Sequence, residues 1–387
     1  MRKVRVVHIL EATTGGTRKH LRDLVTRLDK SRFDVDAICS PLRDPHFVAD
    51  VSAMRAAGAQ VYLVPMRRQI SPIRDYVAYG RLRKLLRDGK YDIAHAHSAK
   101  AGVLGRYAAR AAGVPRIVYT PHGFPFAMWV GAGRQALYRV LERRAAAVTD
   151  RIIAVSEGDR QAALDAALCD PDKVTVIENG IDLAEFDAAL AQPVSRASLG
   201  LDEDDAVIGF FGRLCRQKEP GILVTALPYI RDEIPKAKLL LVGDGELRSH
   251  TERLAERCGV RDSVVFAGHR EDAAGLYPAI DVLAVPSLWE AAPYVLLEAM
   301  SGRKPVAASD IPGCRDIVRD GETGRLFLPG DLRTTVKALC QILTLPDRGR
   351  RMGERGRALV EERYTLQRCL NKTQELYLQL AGEATAP

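Results

Sequence analysis

The apolar positions of the chain fall into short runs, separated by stretches in which they recur at helical spacing. Residues 4–10, 33–40, 60–65, 92–97, 116–120 and 151–156 are runs of strand length that end in polar, Gly or Pro positions. Between them, stretches such as 17–28 and 76–86 carry apolar residues three and four apart, the period of one helix face. A second series follows at 206–211, 238–242, 263–267, 281–286 and 305–309. Near-continuous apolar strands alternating with helices predict parallel sheets covered on both faces. Two such series predict an α/β protein of two doubly wound domains, and 387 residues is ample for both. The joint is expected at Glu178-Asn179-Gly180-Ile181-Asp182, dividing residues 1–180 from 181–365. Ligands of such sheets bind beyond the carboxyl ends of the strands, so the loops after the strands are the places to search.

Composition narrows the class. Hydrophobic residues make up 47% and charged residues 27%, as in soluble globular chains. No run approaches the roughly 18 apolar residues of a membrane span. The opening MRKVRVVHIL breaks at Glu11 and reads as a first buried strand, not a signal peptide. Seven scattered cysteines with no CxxC imply free thiols in a reducing cytoplasm. The net charge of +8 is uneven. Residues 1–185 hold 30 basic against 20 acidic side chains, or +10, and the remainder holds 27 against 29, or −2. The first half is therefore expected to face something anionic, such as a membrane surface or a phosphorylated acceptor. Nucleic acid is not expected, because neither a binding motif nor an aromatic platform is present.

The strand-end loops carry the candidate chemistry. Gly15 and Gly16 follow the first strand and open a helix, where backbone N–H groups can meet an anion; a plain tight turn explains them equally. Neither this loop nor Gly243-Asp244-Gly245 completes a GxGxxG fingerprint, which argues against a dinucleotide dehydrogenase. His95 and His97 end another strand, but no third ligand stands nearby in sequence, so polar lining is expected there and a metal site is not. His122, followed by Gly123, places an imidazole at a strand's carboxyl edge. Arg213 and Lys218, five apart in the loop after the first strand of the second series, can converge on one diphosphate.

Two carboxylates in PSLWEAAPYVLLEAM sharpen this picture. Glu298 sits in an apolar helical run and needs a good partner to stay charged there, whereas Glu290 stands in the preceding loop. Pro293 is suited to the first turn of that helix. Five helical positions at 1.5 Å rise, plus part of the loop, separate the two acids by roughly 8 Å, too far to share a proton or a metal ion. The spacing fits two hydroxyl-rich ends of one ligand with a charged middle. A nucleotide-sugar has that form.

Taken together, the chain resembles the family 4 glycosyltransferases of the GT-B fold, the retaining, nucleotide-sugar-dependent kind. The resemblance runs through Gly15-Gly16, HAHSAKAGVLGR, TPHGF, DRIIAVSEGDR, ENGID, FGRLCRQK, LVGDGE, FAGHRED, the Glu-x7-Glu stretch and PVAASDIPG. It implies two Rossmann-like domains with the site in the cleft between them, acceptor to the first and donor to the second. It also implies that residues 366–387 form a helix crossing back to the N-terminal domain. Glu298 matches the ribose-binding Glu, Glu290 the Glu near the donor sugar, and Arg213 with Lys218 the diphosphate-binding pair. His122 matches the His that contacts the donor sugar, Gly16 the glycine near the donor phosphate, and Arg270 lies in the base-binding loop. Two departures stand out: Pro293 replaces a glycine, and Glu219 stands where a glycine usually follows the Lys.

The implied reaction is hexosyl transfer with retention and without a metal cofactor, and no Asp-x-Asp stands in a strand-end loop. The wording of the N-terminal half is most like bacterial polysaccharide-assembly transferases, implying a UDP-sugar and a polyprenyl-diphosphate-linked or saccharide acceptor. The aromatic loop Phe124-Pro125-Phe126-Ala127-Met128-Trp129-Val130, with Arg67, Arg68, Arg81, Arg83 and Lys84, is expected to meet that acceptor at an anionic inner membrane face. Alternatives on the same fold are a nucleotide-sugar epimerase or hydrolase, a phosphorylase, or a non-catalytic sugar-binding protein.

Overall fold

Strand β1 (Val4–Leu10) is buried at every position from Val7 to Leu10, so its alternating faces are covered at once. Only a strand inside a sheet, with helices above and below, satisfies that pattern. The computed structural model describes residues 2–347 and 349–385 and divides the chain into two units. One comprises the residues up to Asn179 together with those from Gln367 onward; the other is Gly180–Leu366.

In the first unit β1 is followed by α1 (Gly15–Arg27), β2 (Phe33–Cys39), α2 (Phe47–Ala56), β3 (Val61–Leu63), α3 (Pro72–Gly89) and β4 (Ile93–His97). Then come α4 (Ala99–Ala112), β5 (Arg116–Thr120), α5 (Ala132–Ala146), β6 (Arg151–Ala154), α6 (Glu157–Asp165) and β7 (Val174–Val176). The strands form one parallel sheet in the order β3-β2-β1-β4-β5-β6-β7. Register places His8 opposite His95 and Leu10 opposite His97. The sequence pattern does not reveal β7, because Thr175 stands between Val174 and Val176 and leaves too short an apolar run.

The second unit opens with α7 (Leu183–Leu190), β8 (Ala206–Phe211), α8 (Pro220–Glu233), β9 (Ala237–Val242), α9 (Arg248–Arg257), β10 (Val264–Gly268) and β11 (Val282–Val285). It continues with α10 (Tyr294–Ser301), β12 (Val306–Ser309), α11 (Pro312–Arg315), β13 (Gly324–Phe327), α12 (Leu332–Leu343) and α13 (Arg350–Arg363). Its strands are also parallel, in the order β10-β9-β8-β11-β12-β13. Strand order reverses beside the first strand of each sheet, between β1 and β4 and between β8 and β11. At such a point successive loops leave in opposite directions and open a crevice at the strand ends. The last helix, α14 (Leu366–Thr385), packs in the first unit, where Tyr377 and Leu380 are buried and Arg116 Nε donates to the Leu380 carbonyl at 3.1 Å.

Two local expectations are corrected. Pro293 does not lie in the first turn of α10; with φ −73° and ψ 122° it is the extended residue just before it. The aromatic loop after His122 is not a projecting apolar tip. Phe124 and Phe126 are buried and stack at 5.0 Å, with Arg139 of α5 over the Phe126 ring, and Trp129 alone of the three aromatics stays exposed.

Candidate active site

In the second unit the fully buried β8 delivers the chain to Gly212, and residues 213–219 form the loop that leads into α8. The loop after β9 lies directly on this turn: a Cβ on Gly243 would sit 2.0 Å from the Gly212 carbonyl oxygen, so no larger residue fits. Lys218 Nζ donates to Glu290 Oε1 at 2.5 Å, with only 19% and 9% of the two side chains exposed. The loops carrying the pair are stitched by Leu288 N–H to the Gln217 carbonyl (2.8 Å) and Gln217 Nε2 to the Trp289 carbonyl (2.9 Å). Behind Glu290, a Cβ on Gly313 would meet the Glu290 and Ala291 carbonyl oxygens at 2.5 and 2.4 Å, so the start of α11 seats against that loop.

Glu298, five residues into α10, is half-buried, and its Oε2 accepts from the Tyr277 hydroxyl at 3.0 Å. Burial, and then the Glu298 charge, push the Tyr277 phenol well above its usual range, so it stays a donor. Tyr277 is itself fixed by stacking on Phe211 at 4.4 Å. This is the partner that an acid in an apolar helix requires. Arg213 is exposed and points toward Glu246 at 3.9 Å, whereas Arg270, after β10, forms a bidentate pair with Asp272 at 2.7 and 2.6 Å. Of the residues expected from sequence in this unit, Lys218 and Glu290 are in direct contact. Arg213, Arg270 and Glu298 are each held by other neighbours.

The departures from the family pattern have a structural meaning. Glu219 has φ 46° and ψ 49°, the left-handed conformation that glycine adopts freely, and Pro220 then starts α8. Its carboxyl is raised above its ordinary pKa by burial, and its Oε2 is buried without a hydrogen-bond partner.

In the first unit the strand ends gather five imidazoles. His8 Nδ1 lies 2.9 Å from His97 Nε2, and His97 Nδ1 lies 3.2 Å from His122 Nε2. His95 bridges Tyr377 Oη (2.5 Å) and Thr120 Oγ1 (2.7 Å), and His20 packs edge-on to His122 at 4.9 Å. Burial lowers every one of these rings: His8 to about 3, His20 to about 4, and His95, His97 and His122 well below the usual value. All five are neutral at pH 7, with one N–H each. Both nitrogens of His97 face other imidazoles, so the three-ring chain has a polarity. If it ran from His122 toward His8, the His8 proton would sit on Nε2, which is buried and has no partner. An orphaned N–H is the costlier error, so the favoured order is His8 to His97 to His122, leaving the His122 proton on Nδ1. His122 is the partly exposed end of this chain and has φ 52°, a conformation that costs a non-glycine residue about 1–2 kcal/mol.

The expectation that His95 and His97 lack a third neighbour fails. Among the described residues His8, His95 and His97, and separately His20, His97 and His122, bring ligating atoms within 4.8 Å of one another. Sequence distance hid this, since the rings come from β1, α1, β4 and the loop after β5. Apart from the proximity of His95 to His97, nothing in the chain pattern signalled His8, His20 or Tyr377, and nothing signalled Tyr277 as the Glu298 partner. At Gly15, φ is +56° and a Cβ would meet nothing within 4 Å. Helix α1 begins there with no acidic residue in its first turn and no side-chain cap, so its N-terminal end suits an approaching anion.

These sites can be set beside known proteins. Residues 14–185 match the model of Glycosyltransferase Family 4, and residues 191–359 match that of Glycosyl transferases group 1. The chain is 33% identical over 350 residues to the UDP-Gal:alpha-D-GlcNAc-diphosphoundecaprenol alpha-1,3-galactosyltransferase of Escherichia coli, a match covering 88% of each. Its fold is similar to that of Anabaena HepE, crystallised with UDP and glucose, at a TM-score of 0.81 and 20% identity over 97% of this chain and 100% of that one. The sucrose-phosphate synthase of Thermosynechococcus elongatus gives a TM-score of 0.80 at 23% identity, over 99% and 100% of the two chains. With two parallel-sheet α/β units of the GT-B kind, this chain belongs to the family 4 glycosyltransferases.

Proposed function

We propose that this glycosyltransferase moves a hexosyl group, with retention at the anomeric carbon, from a UDP-sugar to a polyprenyl-diphosphate-linked saccharide in cell-surface polysaccharide synthesis. It would work in the cytoplasm, at the inner face of the plasma membrane. The observation that carries the reading is the Lys218–Glu290 pair at the β8/β11 switch point, with Tyr277-held Glu298 on the helix that follows. The E. coli relative's name, which specifies UDP-Gal and a diphosphoundecaprenol acceptor, supports the choice of donor and acceptor class.

An ammonium has three N–H groups, so Lys218 can keep Glu290 and still donate to a phosphate. Arg213 adds a planar fork, Glu298 accepts from ribose hydroxyls, Arg270 lies beside the base, and Glu290 orients the sugar. In the first unit, His122 Nδ1–H is offered to a sugar hydroxyl and the N–H groups at Gly15 and Gly16 to a phosphate oxygen. The anomeric C–O bond breaks with its electron pair leaving on the UDP phosphate. The acceptor hydroxyl oxygen forms the new bond on the same face, and its proton passes to the departing phosphate. Arg213 and Lys218 stabilise the charge that develops, so no divalent metal is required.

The test is a thermal-shift and calorimetric screen of UDP, GDP and ADP, followed by UDP release from UDP-sugars with and without lipid extract. Preference for UDP and lipid-dependent release that survives a chelator are expected. Loss of release on chelation, restored by magnesium or manganese, would contradict the metal-free step; preference for another nucleotide would contradict the donor.

A further inference from the structure

Large apolar side chains that stand exposed are not scattered evenly over the first unit. Leu42, Leu63, Ile70, Ile73, Tyr76 and Val77 are all exposed, Ile73 at 82% and Tyr76 at 77%. Ile73 and Val77 are one helical turn apart on α3, so they share a face with Arg74 and Arg81 beside them. Together with Leu42 and Arg67 they line a groove of about 300 Å³. Single exposed apolar residues are ordinary, but Leu42, Ile73 and Val77 share one groove, with Tyr76 three positions from Ile73 on the same helix, and such a set marks an interaction surface.

The charge around it is one-sided. Residues 67–90 contain eight basic side chains and two acidic ones. Both acids are engaged: Asp75 accepts from Lys100 Nζ at 2.6 Å and from the Ser71 N–H, and Asp88 accepts from Lys84 at 2.5 Å. Arginines interleaved with aliphatic and aromatic side chains at helical spacing suit an anionic bilayer, where apolar atoms reach the acyl boundary and guanidinium groups stay with phosphates.

We infer that the face built from α3, Leu42 and Arg67 docks on an anionic phospholipid surface. Ile70, Ile73, Tyr76 and Val77 enter the acyl boundary, and Arg67, Arg74 and Arg81 meet lipid phosphates. This deepens the proposed function and rests on it for the membrane location of the acceptor. It also moves the membrane contact away from the loop of Phe124 and Phe126, whose rings are buried.

The full chain is sedimented with neutral phosphatidylcholine vesicles and with vesicles containing phosphatidylglycerol. Binding to the anionic vesicles alone, released by 0.5 M salt, is expected. Each arginine near such a surface contributes about five-fold in the binding constant, so Arg74→Ala with Arg81→Ala should weaken binding about 25-fold. Ile73→Ser with Tyr76→Ser should weaken it at least ten-fold, and both pairs should leave the thermal midpoint unchanged. Leu137→Ser with Val140→Ser, exposed on α5, is the control and should bind as the parent does.

No binding to anionic vesicles, equal binding to neutral ones, or full binding by both α3 variants would overturn the assignment. So would a dimer of the parent chain that Ile73→Ser with Tyr76→Ser converts to monomer, because the face would then join two copies. UDP release with detergent-solubilised acceptor reads the catalytic proposal separately. If it is absent while vesicle binding follows α3, the proposed reaction fails and this face stands. If it is present while vesicle binding is absent, this face fails and the reaction stands.

Discussion

Lys218 Nζ and Glu290 Oε1 are 2.5 Å apart, joining the loop after β8 to the loop after β11, and little of either side chain is exposed. A pair so shielded is stronger than a surface salt bridge, and removing one member strands the other charge. Lys218→Ala should therefore lower stability by about 1–3 kcal/mol. It should also weaken UDP binding at least ten-fold, by removing a cation from the proposed diphosphate site. Calorimetry and thermal unfolding read the two effects separately. Unchanged UDP affinity in a folded Lys218→Ala protein would remove this residue from the donor site.

Glu298 is read by the same two measurements. Its carboxylate is half-buried and accepts from the buried Tyr277 hydroxyl, so Glu298→Ala leaves the apolar side of α10 packed but strands that hydroxyl, lowering stability by about 1–3 kcal/mol alongside the loss of binding. A hydrogen bond to a charged acceptor is worth about 1.5–3 kcal/mol, which sets the expected loss of UDP affinity at roughly ten- to a hundred-fold. Tyr277→Phe should lose less, because it only frees the carboxylate to move. If UDP and its 2′-deoxy form lose affinity equally in Glu298→Ala, the contact with that ribose hydroxyl is wrong.

The strands that define each sheet were legible because parallel-sheet strands are apolar on both faces, and residues 4–10 or 206–211 look like nothing else. Strands β7 and β13 were not, because a polar residue interrupts each very short run: Thr175 stands between Val174 and Val176, and Arg325 within Gly324-Arg325-Leu326-Phe327, whereas the edge strands β3 and β10 lie in longer apolar runs. Candidate residues at the strand ends were legible for the same topological reason, because loops at a switch point are where polar groups collect. Their partners were not. Tyr277 reaches Glu298 from a short helical turn 21 residues earlier, and Tyr377 reaches His95 across 282 residues. Pro293 stands one position before the helix turn expected for it, since a proline serves equally well as the last extended residue and as the first helical one.

The imidazole cluster makes stability depend on pH in a defined window. His8 and His20 have folded values of about 3 and about 4, and His95, His97 and His122 are also depressed, all mainly by burial. The unfolded chain binds these protons near pH 6.5 and the folded chain does not. Stability is therefore complete above about pH 6.5 and falls as pH drops through the unfolded value toward the folded ones. Each ring adds a slope of up to about 1.4 kcal/mol per pH unit. Urea unfolding at pH 7, 6 and 5 should show a progressive loss, reversed on return to pH 7. The window above pH 5 keeps ordinary carboxylates out of the comparison. A midpoint that stays constant from pH 7 to pH 5 would mean that these rings are charged, or solvated, in the folded protein.

Glu219 predicts a gain rather than a loss. It occupies a left-handed backbone position at the entry to α8 and buries Oε2 without a partner. Glu219→Gly relieves a conformation costing about 1 kcal/mol and removes an unsatisfied acceptor worth about 1–3 kcal/mol. Against this stands the greater backbone entropy that glycine brings to the unfolded chain, roughly 0.5–1 kcal/mol. The net expectation is a stabilisation of about 1–3 kcal/mol, or roughly 2–12 °C in the unfolding midpoint of a domain of this size. The sign of its pH dependence is an independent check. Burial raises the Glu219 carboxyl above its ordinary value, so the parent protein loses stability as pH rises through the carboxylate range and the side chain must ionise in place. The advantage of Glu219→Gly should accordingly be larger at pH 7 than at pH 4. A loss of stability at both pH values, or an advantage that shrinks as pH rises, would show that the carboxylate contributes a favourable contact at this turn.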